Sequence, residues 1–456
     1  MFSRKKQAMT FRMYQLQVAV WAGLLLFTSC NKPIAGDDPY PSAVTLRVIL
    51  YQGDSFIITW FASREEDFAA YTLYESLTED MTGEQIVYQT TQREDTTYTI
   101  FGIVADEDRY YRVEVTNTYG NSISSPVELA TTALRIAFVS KRSGYENIYL
   151  TDIYGRDQRP ILLIPDSTWF HSDWEDYVIR TYAPLFHPDG NQIMFKATSK
   201  GSPDPIVYFT ELNGSIVREC YICGALNCWG FQFTLTGDAF FYVNGHGGIR
   251  KVENCRKIAA RGHSEFSDGI SISPDGSKIA YHYGFGWFNQ GICITDIDLN
   301  NWQSLLACTL DGPCAGNYTF PVFTSDSGTL VYYAVLSSDA HGIYSMHIDG
   351  TNQVPLDTTV GSIQQVQISP DGNRILFRKR MDSWGLYTMD LDGSDQTLLV
   401  NTTGEPRNFQ YSSDGQYICF DASVSGRREV FITRADGSNI TQLTTEGGYS
   451  PVIQPR

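Results

Sequence analysis

The chain has 456 residues, more than a single domain usually holds, and a formal net charge of −17. Binding to nucleic acid needs clustered lysine and arginine, so this acidic balance excludes nucleic acid as an expected partner. It also argues against peripheral docking on an anionic lipid surface, and is otherwise typical of a well-solvated chain.

The first 29 residues have the pattern of a targeting segment. Basic residues between Arg4 and Arg12 precede an apolar run, 18–27, that is too short to span a bilayer comfortably. The run ends in Phe27-Thr28-Ser29-Cys30, which resembles a bacterial lipobox, although Phe27 stands where leucine is usual. The resemblance implies cleavage before Cys30 and lipid attachment to it, and Asn31 favours the outer membrane over inner-membrane retention. An ordinary secretory signal with a chance cysteine is the alternative.

Cleavage would remove four basic residues and leave a net charge of about −21. Residues 30–42 are rich in Pro, Gly and Asp and are predicted to form a tether. Each buried acyl CH₂ contributes about 0.8 kcal/mol, so a multiply acylated terminus would anchor firmly. No later segment is long and apolar enough to span a membrane, and the remainder is expected to be soluble and extracytoplasmic, on the periplasmic side or at the cell surface.

Residues 43–132 have the pattern of a β-sandwich. Short runs of high β-propensity, such as Phe56 to Trp60 and Tyr110 to Val115, recur without helical periodicity. The segment resembles a fibronectin type III domain: Trp60 matches the buried tryptophan of the family's second strand, and 111–120 match its sixth strand and following turn. Arg109 stands where the family has a tyrosine, so the usual tyrosine-corner hydrogen bond would need Tyr110.

Residues 133–456 contain a repeated four-residue motif. It reads Ser273-Pro274-Asp275-Gly276, Ser369-Pro370-Asp371-Gly372 and Ser412-Ser413-Asp414-Gly415, and a β-rich apolar run follows each copy. A period of about 40 to 50 residues with four short strands per repeat predicts propeller blades. The sequence of the repeat resembles that of the TolB-type propellers, which implies an envelope protein. The Asp and Gly have a structural explanation, since Asp caps its own turn and Gly accepts positive φ.

The two ends of this repeat region complete each other. Arg135 to Val139 is a second strand without a first, whereas Tyr449 to Gln454 is a first strand with nothing after it. We therefore predict an all-β fold: a fibronectin type III β-sandwich followed by a seven-bladed β-propeller closed by the C-terminal strand. The blade that starts near Trp229 matches the repeat poorly, and six blades are the alternative.

The strands of a blade alternate in direction, which divides the connections between two faces. Connections after the first and third strands are short and stereotyped, and we call their side the turn face. Connections after the second and fourth strands are long and varied, and we call their side the loop face. Variable loops on a constant scaffold are the usual place for binding. The candidate ligand-binding residues are Trp169, Phe170, His171, Asp173, Trp174, Trp287, Phe288, His341 and Trp384.

Eight cysteines remain after Cys30, an even number that suits disulfides in an oxidising envelope. Cys308 could pair with Cys314, and Cys223 with Cys228, or Cys220 could take one of the latter two. Cys293 and Cys419 lie within strands and are expected to be free core residues. The spacing of Cys220, Cys223 and Cys228, with Cys255, also permits a zinc-site interpretation, but a second matched pair is missing, and we predict no metal.

No catalytic motif is found. The sequence has no Gly-x-Ser-x-Gly elbow, no phosphate-binding glycine loop and no His-Glu-x-x-His pair. The repeat also resembles that of some pectin-fragment lyases, which hold a metal on propeller histidines. That resemblance would give a role to His171, His246, His282 and His341.

Three functional hypotheses follow. The first is a lipid-anchored, non-enzymatic envelope protein without a cofactor, whose loop face binds a protein or glycan; aromatic and acidic loop residues suit a sugar, a peptide or a basic surface. The second is a metal-dependent propeller enzyme such as an oligosaccharide lyase. The third is a structural component of envelope assembly, as the TolB resemblance implies.

Overall fold

The computed structural model describes residues 40–456 apart from a set of internal stretches and the final residue. Outside the described residues lie 1–39, 48, 53–54, 105–107, 145, 162–181, 198–205, 213, 223–227, 245–247, 262–268, 285–289, 307–316, 336–340, 360–364, 403 and 456. The described chain is entirely β-strand, turn and irregular backbone. A helix long and apolar enough to cross a membrane is therefore not found in this part.

The chain divides into two compact units, and the boundary lies between Thr131 and Thr132. The first has eight strands: β1 (Leu50–Gln52), β2 (Ser55–Thr59), β3 (Phe68–Ser76), β4 (Gln85–Thr90), β5 (Thr97–Phe101), β6 (Asp108–Asn117), β7 (Ser122–Ser124) and β8 (Glu128–Thr131). They form one sheet in the order β1-β2-β5 and a second in the order β4-β3-β6-β7, with β8 also paired to β6.

The core of the first unit is built on aromatic side chains. In β6 the side chains alternate between buried and partly buried, as expected of a strand with one face against a core. Trp60 is 1% exposed and meets Tyr71 edge to face, with ring centroids 5.6 Å apart. Tyr111 is fully buried and its hydroxyl donates to Glu75 Oε2 at 2.5 Å, whereas Tyr110 is only partly buried. The buried tyrosine of this strand is therefore Tyr111.

The second unit contains the remaining strands. They are β9 (Arg135–Ser140), β10 (Asn147–Asp152), β11 (Arg159–Pro160), β12 (Tyr182–Phe186), β13 (Gln192–Ala197), β14 (Ile206–Glu211), β15 (Ile216–Cys220), β16 (Cys228–Phe233), β17 (Ala239–Asn244), β18 (Ile249–Glu253), β19 (Arg256–Arg261), β20 (Ile270–Ile272), β21 (Lys278–Gly284), β22 (Gln290–Asp296), β23 (Gln303–Leu306), β24 (Asn317–Phe323), β25 (Thr329–Val335), β26 (His341–His347), β27 (Val354–Asp357), β28 (Val366–Ile368), β29 (Arg374–Arg380), β30 (Trp384–Asp390), β31 (Thr397–Thr402), β32 (Arg407–Tyr411), β33 (Tyr417–Val424), β34 (Arg427–Arg434), β35 (Thr441–Gln442) and β36 (Tyr449–Ile453).

These strands form seven four-stranded antiparallel sheets within the described residues. Six are consecutive runs of four strands, from β12-β13-β14-β15 to β32-β33-β34-β35, and the remaining sheet has the order β11-β10-β9-β36. The predicted pairing of the two chain ends is thus found, with Val452 opposite Ala137 and Ile453 opposite Ile136. The sheet that starts with β16, the one whose sequence fits the repeat poorly, has the same four-stranded order.

Apolar side chains join most of the sheets to the next. Five core clusters connect consecutive sheets from the one that begins with β12 to the one that begins with β32. A sixth joins the sheet of β32 to the sheet of β9, through residues such as Ile432 and Phe138. The sheets of β9 and β12 meet through Gln454 Nε2, which donates to the Gly190 carbonyl oxygen at 2.9 Å. Every sheet therefore contacts two neighbours.

The glycines of the Asp-Gly turns face a neighbouring backbone. Gly437 has φ +82°, and a Cβ built on it would lie 2.5 Å from the Leu399 carbonyl oxygen of the preceding sheet. Gly393 stands in the same relation to Leu356, also at 2.5 Å. These glycines are needed for sheet-to-sheet contact as well as for their left-handed backbone.

We expect Gly437→Ala to destabilise the protein more than Gly426→Ala. Both positions lie in the same sheet and have positive φ, but a Cβ at Gly426 would have no atom within 4 Å. The left-handed conformation should cost about 1–2 kcal/mol at either site, and crowding against the carbonyl should add about 1–3 kcal/mol at Gly437 alone. Urea unfolding midpoints measure the difference, and equal losses would show that the turn does not press on its neighbour.

Candidate functional site

On the turn face, the repeated serines and aspartates hydrogen-bond within their own turns. Ser273 Oγ donates to Asp275 Oδ1 at 2.6 Å, and the Ser277 amide donates to the same oxygen at 2.9 Å. These hydrogen bonds, that from Ser273 first, lower the pKa of the Asp275 carboxyl. Asp371 and Asp414 accept equivalent bonds from Ser369 and Ser412. The repeated aspartates are thus committed to turn geometry, as the sequence predicts.

Only part of the predicted ligand-binding set is described. Trp169, Phe170, His171, Asp173, Trp174, Trp287 and Phe288 lie outside the described residues, so their role stays a prediction. His341 and Trp384 are described and partly buried. Each begins the third strand of its sheet, β26 and β30 respectively, so both stand at the loop face of neighbouring sheets.

Trp384 is the centre of an arginine cluster that sequence reasoning missed. The guanidinium carbon of Arg378 lies 5.1 Å from the centroid of the Trp384 ring, and that of Arg380 lies 5.7 Å from it. The two arginines are alternate residues of β29 and therefore project from the same side of the strand. Cation–π attraction of about 0.5–2 kcal/mol per pair fixes the three side chains together.

Glu405 links this cluster to the following sheet. Its Oε1 accepts from Arg378 Nη1 at 2.7 Å, and its Oε2 accepts from Arg407 Nε at 2.9 Å. Arg378 is 2% exposed, and burial lowers the pKa of its guanidinium. The side chain of Arg407 is instead 51% exposed, so one carboxylate holds a buried and an exposed cation.

The sheet of β32 to β35 contains two further carboxylates that pair with arginines, and both are buried. Asp421 is fully buried, pairs with Arg428, and accepts from Asn408 Nδ2 at 2.7 Å. Desolvation raises the pKa of Asp421. Glu429 is 2% exposed and accepts from Arg427 Nε at 2.7 Å and from Thr444 Oγ1 at 2.6 Å. The exposed Arg427 is therefore ion-paired with a buried carboxylate.

One register position of the second strand carries a buried polar residue in four sheets. Lys196, His282, Arg378 and Asp421 each follow their turn glycine by the same number of residues. Lys196 Nζ donates to the Cys228 carbonyl oxygen at 2.7 Å and Arg378 Nη1 to that of Pro406 at 3.3 Å, and Asp421 Oδ1 accepts from the Ser450 amide at 3.2 Å. Each of these three partners lies at the start of the next sheet's first strand. Aligning the repeats would have revealed this position in the sequence.

The histidines do not converge among the described residues. His282 is 3% exposed, its Nδ1 accepts from the Gly269 amide at 3.3 Å, and desolvation lowers its pKa to about 4, so it is neutral at neutral pH. The described part of the chain contains no group of three or more His, Cys, Asp or Glu placed to hold a metal. The lyase hypothesis therefore depends on His171 and His246, which lie outside this part.

The cysteine pairing differs from the prediction at one point. Cys220 bonds to Cys255, so the alternative that Cys220 takes Cys223 or Cys228 is wrong. The zinc interpretation loses these two thiolates for the same reason. Cys228 is also disulfide-bonded, while Cys223, Cys308 and Cys314 lie outside the described residues and their pairing stays a prediction. Cys293 and Cys419 are free and buried, as expected.

Comparison with known proteins finds similar folds among solved structures but no matching sequence family. No family model matches the chain, and no curated protein matches it by sequence. TolB from Acinetobacter baumannii aligns with 14% identity over 78% of this chain and 84% of its own, with a TM-score of 0.44. Oligogalacturonate lyase from Vibrio parahaemolyticus aligns with 13% identity over 68% and 84%, TM-score 0.50. The tricorn protease aligns with 11% identity over 90% and 44%, TM-score 0.50.

We expect Lys196 to make stability depend on pH. Burial lowers its pKa from 10.5 to about 7, so between these values the unfolded chain holds a proton that the folded protein has released. Stability should therefore rise with pH through this window by up to about 1.4 kcal/mol per pH unit, while below pH 7 the full cost of the buried charge is present. Unfolding of wild type and Lys196→Met at several pH values tests this, and parallel profiles would refute it.

The structural neighbours named above, TolB, oligogalacturonate lyase and the tricorn protease, are TolB-like β-propellers. At such low identity the likeness to the lyase and to tricorn shows the fold alone. Together with the sheets described above, it shows that this all-β chain contains a β-propeller fold.

Proposed function

We propose that this protein is a lipid-anchored envelope protein that binds a partner, a protein or a glycan, through the loop face of a seven-bladed propeller. The contrast between the two faces carries the proposal. The turn face repeats one self-satisfied turn, whereas the loop face presents side chains that differ from sheet to sheet, with Trp384, Arg380 and Arg407 among them.

The blade count is supported by the order of contacts. Seven four-stranded sheets each touch two neighbours, and the last touches the first, as the blades of a closed ring would. In this arrangement the sheet made from both ends of the unit is the closing blade. Closure removes exposed edges that an open row of sheets would present to other chains.

The first unit is proposed to be a fibronectin type III-like module. Two facing sheets of orders β1-β2-β5 and β4-β3-β6-β7 support this, together with the buried Trp60 immediately after β2. Such modules act as spacers or interaction domains, and we assign this one the role of a spacer that follows the lipid-anchored tether, residues 30–42, in the chain.

A site-specific photo-crosslinker distinguishes the two faces in cells. Met381, 59% exposed between β29 and β30, reports on the loop face, and the exposed Asn439, between β34 and β35, reports on the turn face. We expect discrete crosslinked species from position 381 and none from position 439. Crosslinks confined to position 439, or equal at both, would remove the loop face as the binding surface.

Lipid attachment has its own test. Cys30→Ser should abolish incorporation of labelled palmitate and release the protein from the membrane fraction, because no acyl acceptor remains. Asn31→Asp is the matched control, since it should keep the lipid but move the protein toward the inner membrane. Unchanged labelling and fractionation of Cys30→Ser would show that residues 1–29 are not a lipoprotein signal.

A further inference from the structure

Three exposed arginines lie along the loop face of two neighbouring sheets. Arg380 ends β29, Arg407 begins β32 and Arg427 begins β34. A chain of contacts connects Arg380 with Arg407. Arg380 and Arg378 both lie over the Trp384 ring. Glu405 then pairs with both Arg378 and Arg407. We call Arg380, Arg407 and Arg427 the arginine arc.

The arc is held in place by groups that are themselves less exposed. The side chain of Glu405 is 21% exposed and that of Glu429 is 2% exposed, against 51% for Arg407 and 60% for Arg427. Glu405 and Glu429 therefore hold Arg407 and Arg427 through their Nε atoms, and Arg427 Nη2 also donates to the Thr445 carbonyl oxygen. Arg380 instead lies over the Trp384 ring. Fixing an arginine in advance reduces the side-chain entropy that binding would otherwise cost.

The arc places exposed cations on an acidic chain. A protein of net charge −17 has three exposed arginines on two neighbouring sheets of the face proposed to bind, although Asp382 and Glu446 are exposed close by in sequence. Guanidinium forks match carboxylates in bidentate geometry, and arginine and tryptophan are the residue types enriched at the energetic centres of protein interfaces. An anionic partner is therefore favoured over the basic surface suggested by the acidic loop residues.

We propose that the arginine arc binds an acidic segment of a partner protein through its carboxylates. This inference rests on the proposed function and names the chemistry of its partner. Two observations favour a short acidic peptide over a charged polysaccharide. The Trp384 ring already has two guanidinium groups against it, at 5.1 and 5.7 Å, which occupies the surface on which a sugar would stack. The net charge of −17 opposes a long polyanion but little affects a segment bound locally.

Titration with a deca-glutamate peptide tests the proposal. We expect the triple variant Arg380→Gln, Arg407→Gln, Arg427→Gln to bind about tenfold or more weakly than wild type, a loss that one interface hot spot can cause. The charge-matched control Arg256→Gln, Lys257→Gln, Arg434→Gln changes three exposed cations on the turn face and should bind within about twofold of wild type. Raising the salt concentration should weaken wild type more than the triple variant.

Several outcomes would overturn the inference. Wild type that does not bind deca-glutamate, or a triple variant that binds it equally well, removes the arc as an acidic-peptide site. Binding of polygalacturonate without binding of deca-glutamate assigns the arc to an anionic glycan instead. Should the triple variant fail to fold, Arg380→Gln alone leaves both carboxylate pairs intact and should still bind several-fold more weakly. Crosslinks from position 381 that persist when deca-glutamate does not bind would retain the proposed function and reject only this partner.

Discussion

The pairing of β36 with β9 is the contact on which the second unit depends. The Gln454 amide donates to the Arg135 carbonyl oxygen at 2.8 Å, and the Arg135 amide donates back to Gln454 Oε1 at 3.2 Å. At the other end of the pair, Ser140 Oγ donates to the Gly447 carbonyl oxygen at 2.5 Å. Without β36, β9 would present an unpaired edge beside the turn of the next sheet, and Gln454 could not reach Gly190.

Where sheets meet, this unit combines apolar packing with a few buried polar groups in fixed places. Burial of a charged side chain is costly unless it has partners, and the chain supplies them from the neighbouring sheet's backbone. Lys196 and Arg378 donate to carbonyl oxygens, and Asp421 accepts from an amide. A side chain that is satisfied only by the next sheet makes the spacing between sheets specific as well as favourable.

The sequence predicts those parts of the fold that depend on local chemistry. The Pro-Asp-Gly turns, the strands after them and the complementary end strands are found as expected, because turn geometry and strand alternation are encoded within a few residues. The Cys220–Cys255 bond was missed because its residues lie 35 apart in sequence, whereas Cys223 and Cys228 are nearby. The Trp384 cluster was predicted only in its tryptophan, although Arg380 lies directly opposite Trp384 in the β29–β30 hairpin and Arg378 occupies an aligned position of the repeat. The link from Arg378 to Glu405 joins two sheets, and no local pattern records such a contact.

The late position of β36 has a consequence for biosynthesis. Its partners in β9 are made first, and the hydrogen bonds between Arg135 and Gln454 span 319 positions of the chain. During synthesis the early strand must wait, with its edge unprotected, until nearly the whole unit has been made, and contacts of such long range are slow to form. The nascent chain is therefore most vulnerable to aggregation and proteolysis just before synthesis of β36, when chaperone protection of β9 would matter most.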